Sequence, residues 1–330
     1  MLRIGVLGAG HLGKIHLKCI QQIEAYELVG FYDPDEQQAE AASTDFGLPA
    51  FPSAEALIEA VDVVDIVSPT VTHYELARAA LLAGRHLFIE KPLTHTLDEA
   101  RALANLARDK ALKVQVGHVE RFNPAVLALE GIPLQPMFIE AHRLAAFNPR
   151  GTDVSVILDL MIHDLDIILS MLDTEVRYIS ASGVAVVSDT PDIANARLEF
   201  ANGCVANLTA SRISMKQMRK LRLFQRDAYI SLDFLNKTTQ VIRLFDQDAP
   251  DLPAEDLMTL ETNNGRKHIH LEMQEGKAVN AIKMELELLA QSIKEDRPTA
   301  VPLEEGLRVL ELAYQIIEEM DRRLSGLDVE

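Results

Sequence analysis

The segment RIGVLGAGHLGKIH, residues 3–16, decides how the chain begins to fold. Its first part, Arg3–Leu7, is an apolar run that predicts a buried strand, and its last part is rich in helix formers. Between them lies the spacing G-x-G-x-x-G, in the residues Gly8, Ala9, Gly10, His11, Leu12 and Gly13. A strand that passes through such a loop into a helix is the context in which this spacing binds phosphates.

Glycine is expected at each of these three positions for a different physical reason. Gly8 would permit the tight turn, Gly10 would let a pyrophosphate approach the backbone, and Gly13 would let the helix pack close to the strand. The helix that follows offers free N–H groups and a partial positive charge to an anion. The segment therefore predicts a dinucleotide site, and the alternative is a glycine-rich turn without a ligand.

The first 120 residues continue as an alternation of short apolar strands and helical stretches. This order is the signature of a parallel sheet with right-handed crossovers, and strands that are apolar throughout predict cover on both faces. The predicted strands are Arg3–Leu7, Leu28–Tyr32, Val61–Val67, His86–Ile89 and Lys113–Val116. The predicted helices are Leu12–Ile23, Asp35–Asp45, Ala54–Glu59, Tyr74–Ala83 and Leu97–Arg108.

The pattern changes after about residue 123. One helical segment, Ile157–Leu172, lies among longer strands, and Asn202-Gly203 between two strand patterns predicts a hairpin. We interpret the acidic residues 246–264 as a solvated loop. The predicted strands are Met137–Leu144, Arg177–Val187, Ala194–Phe200, Cys204–Ser211, Lys220–Gln225 and Tyr229–Phe234, and the closing helices are Val279–Lys294 and Leu303–Leu324.

The expected fold class is therefore α/β with two domains. Residues 1–120 should form a doubly wound parallel sheet that binds a dinucleotide. Residues 121–330 should form an open, mostly antiparallel sheet with helices on one face, which binds the substrate and oligomerises.

Asp33 follows the second predicted strand and lies 20 residues after Gly13. A carboxylate there can accept hydrogen bonds from both ribose hydroxyls of an adenosine, and it would repel a 2′-phosphate. The residues that follow, Pro34, Asp35 and Glu36, offer no cation to hold that phosphate. NAD is therefore the expected cofactor and NADP is less favoured. The alternative is that Asp33 only caps the helix near Asp35, and one residue could do both.

The tripeptide Glu90-Lys91-Pro92 directly follows the fourth predicted strand. Ligands of an open parallel sheet lie beyond the carboxyl ends of its strands, so Lys91 is expected beside the nicotinamide. Pro92 predicts an extended Lys91 and allows a cis peptide bond between them. The alternative is that Glu90 and Lys91 form an ion pair on the surface.

Asp159 and His163 are four residues apart in the predicted helix and therefore share a face, with Asp166 one turn further along. An imidazole near a carboxylate has a defined tautomer and suits a proton acceptor near neutral pH. Lys91 could accept that proton only if burial made its ammonium group more acidic; otherwise it would stabilise a developing alkoxide. The residues leave open which of the two is the base, and a surface His–Asp pair would show the same spacing.

Together these residues resemble the Gfo/Idh/MocA family of oxidoreductases, and the resemblance covers nearly the whole chain. It implies a Rossmann domain followed by an α/β domain with an open sheet. It also implies that Lys91, Asp159 and His163 surround the reacting carbon. The residues it implies for the cofactor are Gly8–Gly13, Asp33, Ser68, Pro69, Thr70, His73, Glu90 and Lys91.

Residues 115–124, 140–143 and 147–152 resemble a subgroup of this family that oxidises UDP-N-acetylglucosamine or its uronate at sugar carbon 3. Arginines would supply the charge-assisted donors that a diphosphate requires, although at least two should pair with surface carboxylates instead. The alternatives are a dehydrogenase of a free polyol or monosaccharide, and an NAD-binding sensor without turnover. The expected substrate-binding residues are Lys91, Arg121, Asn123, Arg143, Asn148, Arg150 and His163, with Arg212 and Lys216 as further cations.

Composition argues against several other classes of protein. The net charge of −18 opposes a contact surface for nucleic acid, and no apolar run is long enough for a membrane span. The two cysteines, Cys19 and Cys204, fit a reducing cytoplasm, and the spacing of a zinc site is absent. We expect a cytoplasmic enzyme without a metal, assembled as a homodimer or homotetramer through its open sheet.

Overall fold

The structure, a computed structural model, describes residues 1–148, 154–245, 257–262, 265–276 and 278–327. The chain forms two compact units. The first contains Met1–Phe122 and Asn280–Glu311, and the second contains Asn123–Val279 and Leu312–Glu330. The expected division between residues 120 and 121 therefore needs a correction, because the chain returns to the first unit after completing most of the second.

The first unit is built on a parallel sheet that matches the predicted alternation. Its strands are β1 (Leu2–Leu7), β2 (Tyr26–Tyr32), β3 (Val63–Ile66), β4 (His86–Glu90) and β5 (Val114–Gly117). Its first five helices are α1 (His11–Ile20), α2 (Glu36–Phe46), α3 (Ala54–Ala60), α4 (Thr70–Leu82) and α5 (Leu97–Asp109). The strand order is β2-β1-β3-β4-β5, with parallel register throughout.

The strand order creates a switch point between β1 and β3, since the chain winds from β1 outward to β2 and then in the opposite direction. Open α/β sheets bind ligands at such a point, beyond the carboxyl ends of the strands. The loops that follow β1 and β3 begin at Gly8 and at Val67. The segments that the sequence analysis singled out therefore start at the binding edge of this sheet.

Helix α8 (Ala281–Lys294) explains why the later segment belongs to the first unit. Its apolar stripe of Leu286, Leu289 and Ala290 is buried in one core with side chains of α1, β1 and β2. Burial of each large aliphatic side chain is worth about 2 kcal/mol. The phenol of Tyr26 on β2 also donates a 3.0 Å hydrogen bond to the carbonyl of Leu286. The helix is thus part of the core of the first unit.

Within the described residues, the second unit contains one nine-stranded sheet. The strands are β6 (Phe138–Leu144), β7 (Val176–Val184), β8 (Ile193–Phe200), β9 (Val205–Ser211), β10 (Met218–Phe224), β11 (Ala228–Asp233), β12 (Thr238–Phe245), β13 (Leu257–Thr262) and β14 (Gly265–Glu275). Their order is β13-β14-β12-β11-β10-β6-β9-β8-β7, and every neighbouring pair is antiparallel except β6 with β9. The expected open, mostly antiparallel sheet is confirmed, as is the β8–β9 hairpin at Asn202-Gly203.

Side chains alternate along these strands between the core and the opposite face. Ala194, Ala196 and Leu198 of β8 are buried, as are Leu221 and Leu223 of β10. The residues between them are partly or fully exposed. This alternation is the pattern of a sheet with one covered face.

Some elements differ from the expectation. The helix expected over residues 157–172 starts as a π-helical turn, Ile157–Met161, and continues as α7 (Ile162–Met171). Two short elements were not expected: a 3₁₀ turn at Val119–Phe122 and the helix α6 (Pro124–Leu127). The last helix is α9 (Leu303–Leu327).

The acidic segment is a second difference. Residues 257–262 form strand β13, so the loop expected over 246–264 is wrong there, while residues 246–256 and 263–264 lie outside the described residues. Strands β12 and β14 were also missed. The side chains of residues 257–261 in β13 and 265–274 in β14 are partly or largely exposed, so the sequence carries little of the apolar alternation that reveals a half-buried strand.

Candidate active site

The three glycines of the loop after β1 occupy three different environments. Gly8 has a φ of +104°, and a Cβ there would lie 2.9 Å from the carbonyl oxygen of Val67. A Cβ on Gly13 would lie 2.0 Å from the carbonyl oxygen of Gly8, so only glycine lets α1 approach the loop this closely. At Gly10 the nearest atom to a Cβ would be Gln38 Oε1 at 3.7 Å, which leaves the space above the backbone open.

The start of α1 is suited to an anion. Gly10 is the N-cap of this helix and provides no side-chain hydrogen bond to its first turn, which also contains no acidic residue. The first N–H groups of the helix therefore point toward the open space at Gly10, with the positive end of the helix dipole behind them. These residues fit the diphosphate of a dinucleotide.

Asp33 is tied to the same loop. Its Oδ2 accepts a 2.7 Å hydrogen bond from the backbone N–H of Ala9, and its Oδ1 accepts one of 2.9 Å from Asp35. The cap of α2 is Asp35, whose Oδ1 accepts from the N–H groups of Gln37 and Gln38. Since Asp35 performs the capping, the half-buried carboxylate of Asp33 has the position and the spare lone pairs for a ribose diol.

The loop after β3 is held by the buried ring of His73. Its Nε2 lies 2.9 Å from the carbonyl oxygen of Ser68, and its Nδ1 lies 3.0 Å from that of Pro92. Burial lowers the pKa of His73, although these carbonyl groups oppose the shift. The Ser68 and Thr72 hydroxyls are 2.7 Å apart. His73 thus acts as a bridge between the segments Ser68–Thr70 and Glu90–Pro92, which the sequence analysis had assigned to one cofactor site.

Glu90 is the last residue of strand β4, and its carboxylate contacts the backbone of Lys91 and the ring of His16. Its Oε2 accepts a 3.1 Å hydrogen bond from the backbone N–H of Lys91, and its Oε1 lies 3.2 Å from His16 Nε2. The other ring nitrogen of His16 lies 2.9 Å from Asp65 Oδ2. Lys91 itself is partly exposed and precedes a cis peptide bond to Pro92. Glu90 is 7% exposed, so the alternative of an ion pair on the surface does not hold.

In the second unit, the motif Asp159–His163 spans two kinds of helix. Asp159 lies in the π-helical turn and His163 in the first turn of α7, and both are partly exposed. Single π-helical turns are frequent at functional sites. Asp166, expected one turn further along, is fully buried and so is not presented to a ligand.

The helix that carries His163 is anchored by a buried ion pair. Arg143 on β6 donates from Nε to Asp164 Oδ2 at 3.0 Å and from an Nη atom to Asp164 Oδ1 at 2.8 Å. The guanidinium also lies 5.5 Å from the ring centre of Phe234. Because Arg143 is 2% exposed, it fixes the helix instead of presenting donors to a diphosphate, which corrects its expected role.

Several other expected substrate residues also have structural partners. Arg121 forms an ion pair with Glu305 in the first unit, and Asn123 caps α6 while donating to the carbonyl of Phe234. Arg212 is buried and donates to the carbonyl of Val154. Asn148 and Lys216 are exposed, and Arg150 lies outside the described residues. Of these cations, Arg121 pairs with a surface carboxylate as expected, whereas Asp164, the partner of Arg143, is buried.

Comparison with known proteins follows the same division of the chain. A model described as the oxidoreductase family with an NAD-binding Rossmann fold matches residues 2–118, and one for the GFO/IDH/MocA C-terminal domain matches residues 138–230. A UDP-N-acetylglucosamine 3-dehydrogenase from Acidithiobacillus ferrooxidans is 37% identical over 96% of both chains. The chain belongs to the Gfo/Idh/MocA family of oxidoreductases.

Solved structures of this family agree with the fold. One of the Acidithiobacillus enzyme has a TM-score of 0.87 at 36% identity and covers 97% of this chain and 98% of its own. A scyllo-inositol dehydrogenase from Lactobacillus casei, solved with NAD(H) and scyllo-inositol, has a TM-score of 0.76 at 20% identity, which shows the fold alone. A scyllo-inositol 2-dehydrogenase from Bacillus subtilis is 29% identical over 64% of this chain and 68% of its own length.

Membership of the family establishes the class of reaction. The chain is an oxidoreductase with an NAD-binding Rossmann domain, and the relatives named above are dehydrogenases. Within the described residues, no cluster of three or more His, Cys, Asp or Glu side chains could hold a metal ion. In the same part of the chain, every helix is too short or too polar to cross a membrane.

His16 and Asp65 were missed, although His16 contacts both Asp65 and Glu90. The sequence carries a signal for each: Asp65 interrupts the apolar strand VVDI, and His16 lies on α1 three residues after Gly13. A carboxylate inside an apolar strand must have a buried partner to be tolerated. The sequence does not say which residue that partner is.

Proposed function

We propose that the chain oxidises a UDP-N-acetylhexosamine at carbon 3 of the sugar and produces the 3-keto nucleotide sugar. The observation that carries this proposal is the similarity to the UDP-N-acetylglucosamine 3-dehydrogenase, which extends over 96% of both chains. The similarity to the inositol dehydrogenase is lower and covers 64% of this chain. A myo-inositol 2-dehydrogenase from Thermotoga maritima also matches over 98% of both chains but is only 24% identical, so the identity over both units favours the nucleotide sugar.

The chemistry requires two bonds of the substrate to break. Bound NAD supplies the acceptor for the hydride that leaves carbon 3, and a side chain must accept the proton of the hydroxyl group. We assign this chemistry to Lys91, Asp159 and His163. Either His163 or Lys91 is the base, and the other stabilises the charge that develops on the oxygen.

We assign the cofactor to the first unit. The residues are Gly8, Gly10, His11, Leu12, Gly13, Asp33, Ser68, Pro69, Thr70, His73, Glu90 and Lys91. The open space at Gly10, the uncapped start of α1 and the carboxylate of Asp33 support this assignment. For the diphosphate of the substrate, Asn148, Arg150 and Lys216 are stronger candidates than Arg143 and Arg212, since the latter two are buried.

We also propose a cytoplasmic homodimer or homotetramer. Both cysteines are buried and free, as expected of a protein from a reducing compartment. Large apolar side chains are exposed on strands of the open sheet, and a second copy of the chain would cover them. They are Tyr178, Phe224, Met258, Leu260, Leu271 and Met273. Sedimentation analysis would measure the assembly, and a monomer at micromolar concentration would contradict it.

A panel of substrates tests the proposal. UDP-N-acetylglucosamine, its uronate, myo-inositol and free N-acetylglucosamine would each be incubated with NAD, with hydroxylamine to trap a ketone. With one of the UDP-sugars, we expect NADH absorbance and a compound with the mass of the oxime of the 3-keto sugar. Turnover of myo-inositol alone would identify a polyol dehydrogenase, and turnover of no compound in the panel would contradict the proposal.

Variants of the catalytic residues assign their roles. Lys91→Ala and His163→Ala should each reduce turnover by about 10²–10⁴-fold, the scale of a lost general base or charge stabiliser, with NAD affinity nearly unchanged. If His163 is the base, the ascending limb of the pH–rate profile should vanish in His163→Ala. If Lys91 is the base, the limb should persist there, and Lys91→Arg should be inactive because arginine does not accept a proton. Full activity of both alanine variants would refute the assignment.

A further inference from the structure

Three charged side chains form a buried cluster beneath the end of strand β4. His16 lies between the carboxylates of Asp65 and Glu90, at 2.9 Å and 3.2 Å from them. His16 and Asp65 are fully buried, and Glu90 is 7% exposed. The His16 ring also meets the edge of Phe88, with ring centres 5.5 Å apart. The cluster is thus enclosed by α1, β3 and β4 of the first unit.

Such a cluster is not explained by stability. Removing two carboxylates and an imidazole from water is costly, and apolar residues of the same size would often be as stable or more stable. Burial lowers the pKa of His16, but the carboxylates of Asp65 and Glu90 outweigh burial, so its pKa lies well above the usual value. This shift favours the imidazolium form, which would lie between a carboxylate on each side, while burial also raises the pKa of Asp65.

The geometry connects this cluster to Lys91. One oxygen of Glu90 faces His16, and the other accepts the backbone N–H of Lys91 at 3.1 Å. Gly117 on the neighbouring strand leaves room for the carboxylate, because a Cβ there would lie 2.9 Å from Glu90 Cδ. The Glu90 side chain is thereby fixed on both sides, and its position determines where the chain turns at Lys91.

We propose that Asp65, His16 and Glu90 are positioning residues, which act as a relay: the His16 ring, hydrogen-bonded to Asp65 and ion-paired with Glu90, holds the carboxylate that fixes the backbone at Lys91 and so directs its ammonium group. The inference rests on the proposed catalytic role of Lys91. Small displacements of a catalytic group cost large factors in rate, up to 10²-fold for about 1 Å. His16 and Asp65, which are fully buried, therefore contribute to turnover through Lys91, while Glu90 also remains among the proposed cofactor residues.

The first test measures the backbone directly. Hydrogen exchange of the Lys91 amide in the full-length protein should be faster in Glu90→Ala and in His16→Gln than in the wild type. Glu90→Gln keeps an oxygen that accepts this N–H and should restore part of the protection. The matched control is His86→Gln, at the other end of β4, where the imidazole accepts from the N–H of Lys113. Unchanged exchange in both Glu90→Ala and His16→Gln would overturn the inference.

The second test is a double-mutant cycle on turnover. Glu90→Ala and His16→Gln should each lower kcat by about 10- to 100-fold. In His16→Gln, which leaves every proposed cofactor residue in place, the Kd for NAD should stay within about threefold of the wild type. In a Lys91→Ala background, either substitution should change kcat by less than about threefold. An additive loss in that background would overturn the relay while leaving Lys91 catalytic.

The cycle also separates the inference from its basis. Full activity of Lys91→Ala alone would refute the proposed function of Lys91, and the relay would fall with it. Gly117→Ala gives a variant that keeps all three side chains but displaces Glu90, and it should lower kcat in the same way. If Glu90→Ala does not fold, Glu90→Gln and Gly117→Ala carry the same test. Wild-type kcat in these two variants would then refute the relay.

Discussion

Alanine at Gly10 should weaken NAD binding strongly without unfolding the protein. The backbone of Gly10 has a φ of −66°, which any residue can adopt, and an added Cβ would meet only Gln38 Oε1 at 3.7 Å. Replacing a glycine N-cap by alanine costs about 1 kcal/mol. The methyl group would, however, occupy the space through which a diphosphate approaches the first turn of α1.

The magnitude follows from the hydrogen bonds that would be lost. A hydrogen bond to a charged group contributes about 1.5–3 kcal/mol, so loss of one phosphate contact should weaken NAD binding by roughly 10- to 150-fold. Isothermal titration would give the Kd for NAD, and urea denaturation would give the free energy of unfolding. The expected result is a large change in the first quantity and a small one in the second.

Two other glycines provide matched controls. Gly13→Ala places a Cβ 2.0 Å from a carbonyl oxygen, so it should destabilise the fold by about 1–3 kcal/mol or more. Gly47→Ala imposes a φ of +66° on alanine in open space, which should cost about 1–2 kcal/mol and leave NAD binding unchanged. An unchanged Kd in Gly10→Ala, or an equal loss in Gly47→Ala, would refute the phosphate role of this loop.

Three further predictions concern single residues. Asp33→Ser combined with Pro34→Arg should weaken NAD binding and relax the rejection of NADP, because the double variant removes the ribose acceptor and supplies a cation. Titration with both cofactors would measure the two affinities. An unchanged ratio of the affinities for NAD and NADP would count against the ribose role of Asp33. Arg143→Met should lower the free energy of unfolding by about 3–5 kcal/mol, since it leaves Asp164 charged and buried. The double variant Arg143→Met with Asp164→Leu should recover most of this lost stability. A raised KM with unchanged stability in Arg143→Met would indicate a substrate contact instead. Because the pKa of His16 is raised in the folded protein, its protonated ring stabilises the fold. This contribution is complete below about pH 6.5, the pKa in the unfolded chain, and is lost as the pH rises through the pKa in the folded protein. Urea denaturation from about pH 6 to 9 should therefore show a steeper decline in the free energy of unfolding for the wild type than for His16→Gln, and parallel curves would contradict it.

The local features of the first unit could be predicted because each has a local cause. The strand, the three glycines and the helix of residues 3–16 follow from apolar period and from the conformational needs of a tight turn. Asp33 follows from its position at a strand end. In these places the neighbouring residues in sequence are also the neighbours in space, so pattern and structure agree.

Long-range pairings could not be predicted in the same way. The apolar stripe of α8 indicates that the helix packs on a core, but not that this core is the one formed by residues 1–122. The sequence pattern predicts an exposed Arg143 in an alternating strand. It does not reveal that Asp164, 21 residues later, forms a buried ion pair with this side chain. The same holds for His16, Asp65 and Glu90, whose contacts join three separate elements.

The most direct test of the proposed reaction follows the hydrogen that the enzyme removes. UDP-N-acetylglucosamine with deuterium at carbon 3 would be incubated with the protein and NAD, and the reduced cofactor would be analysed by mass. The proposed function predicts deuterium in the reduced cofactor from this substrate and none from the same sugar labelled at carbon 4. Transfer from carbon 4, or reduced cofactor that contains no deuterium from carbon 3, would contradict it.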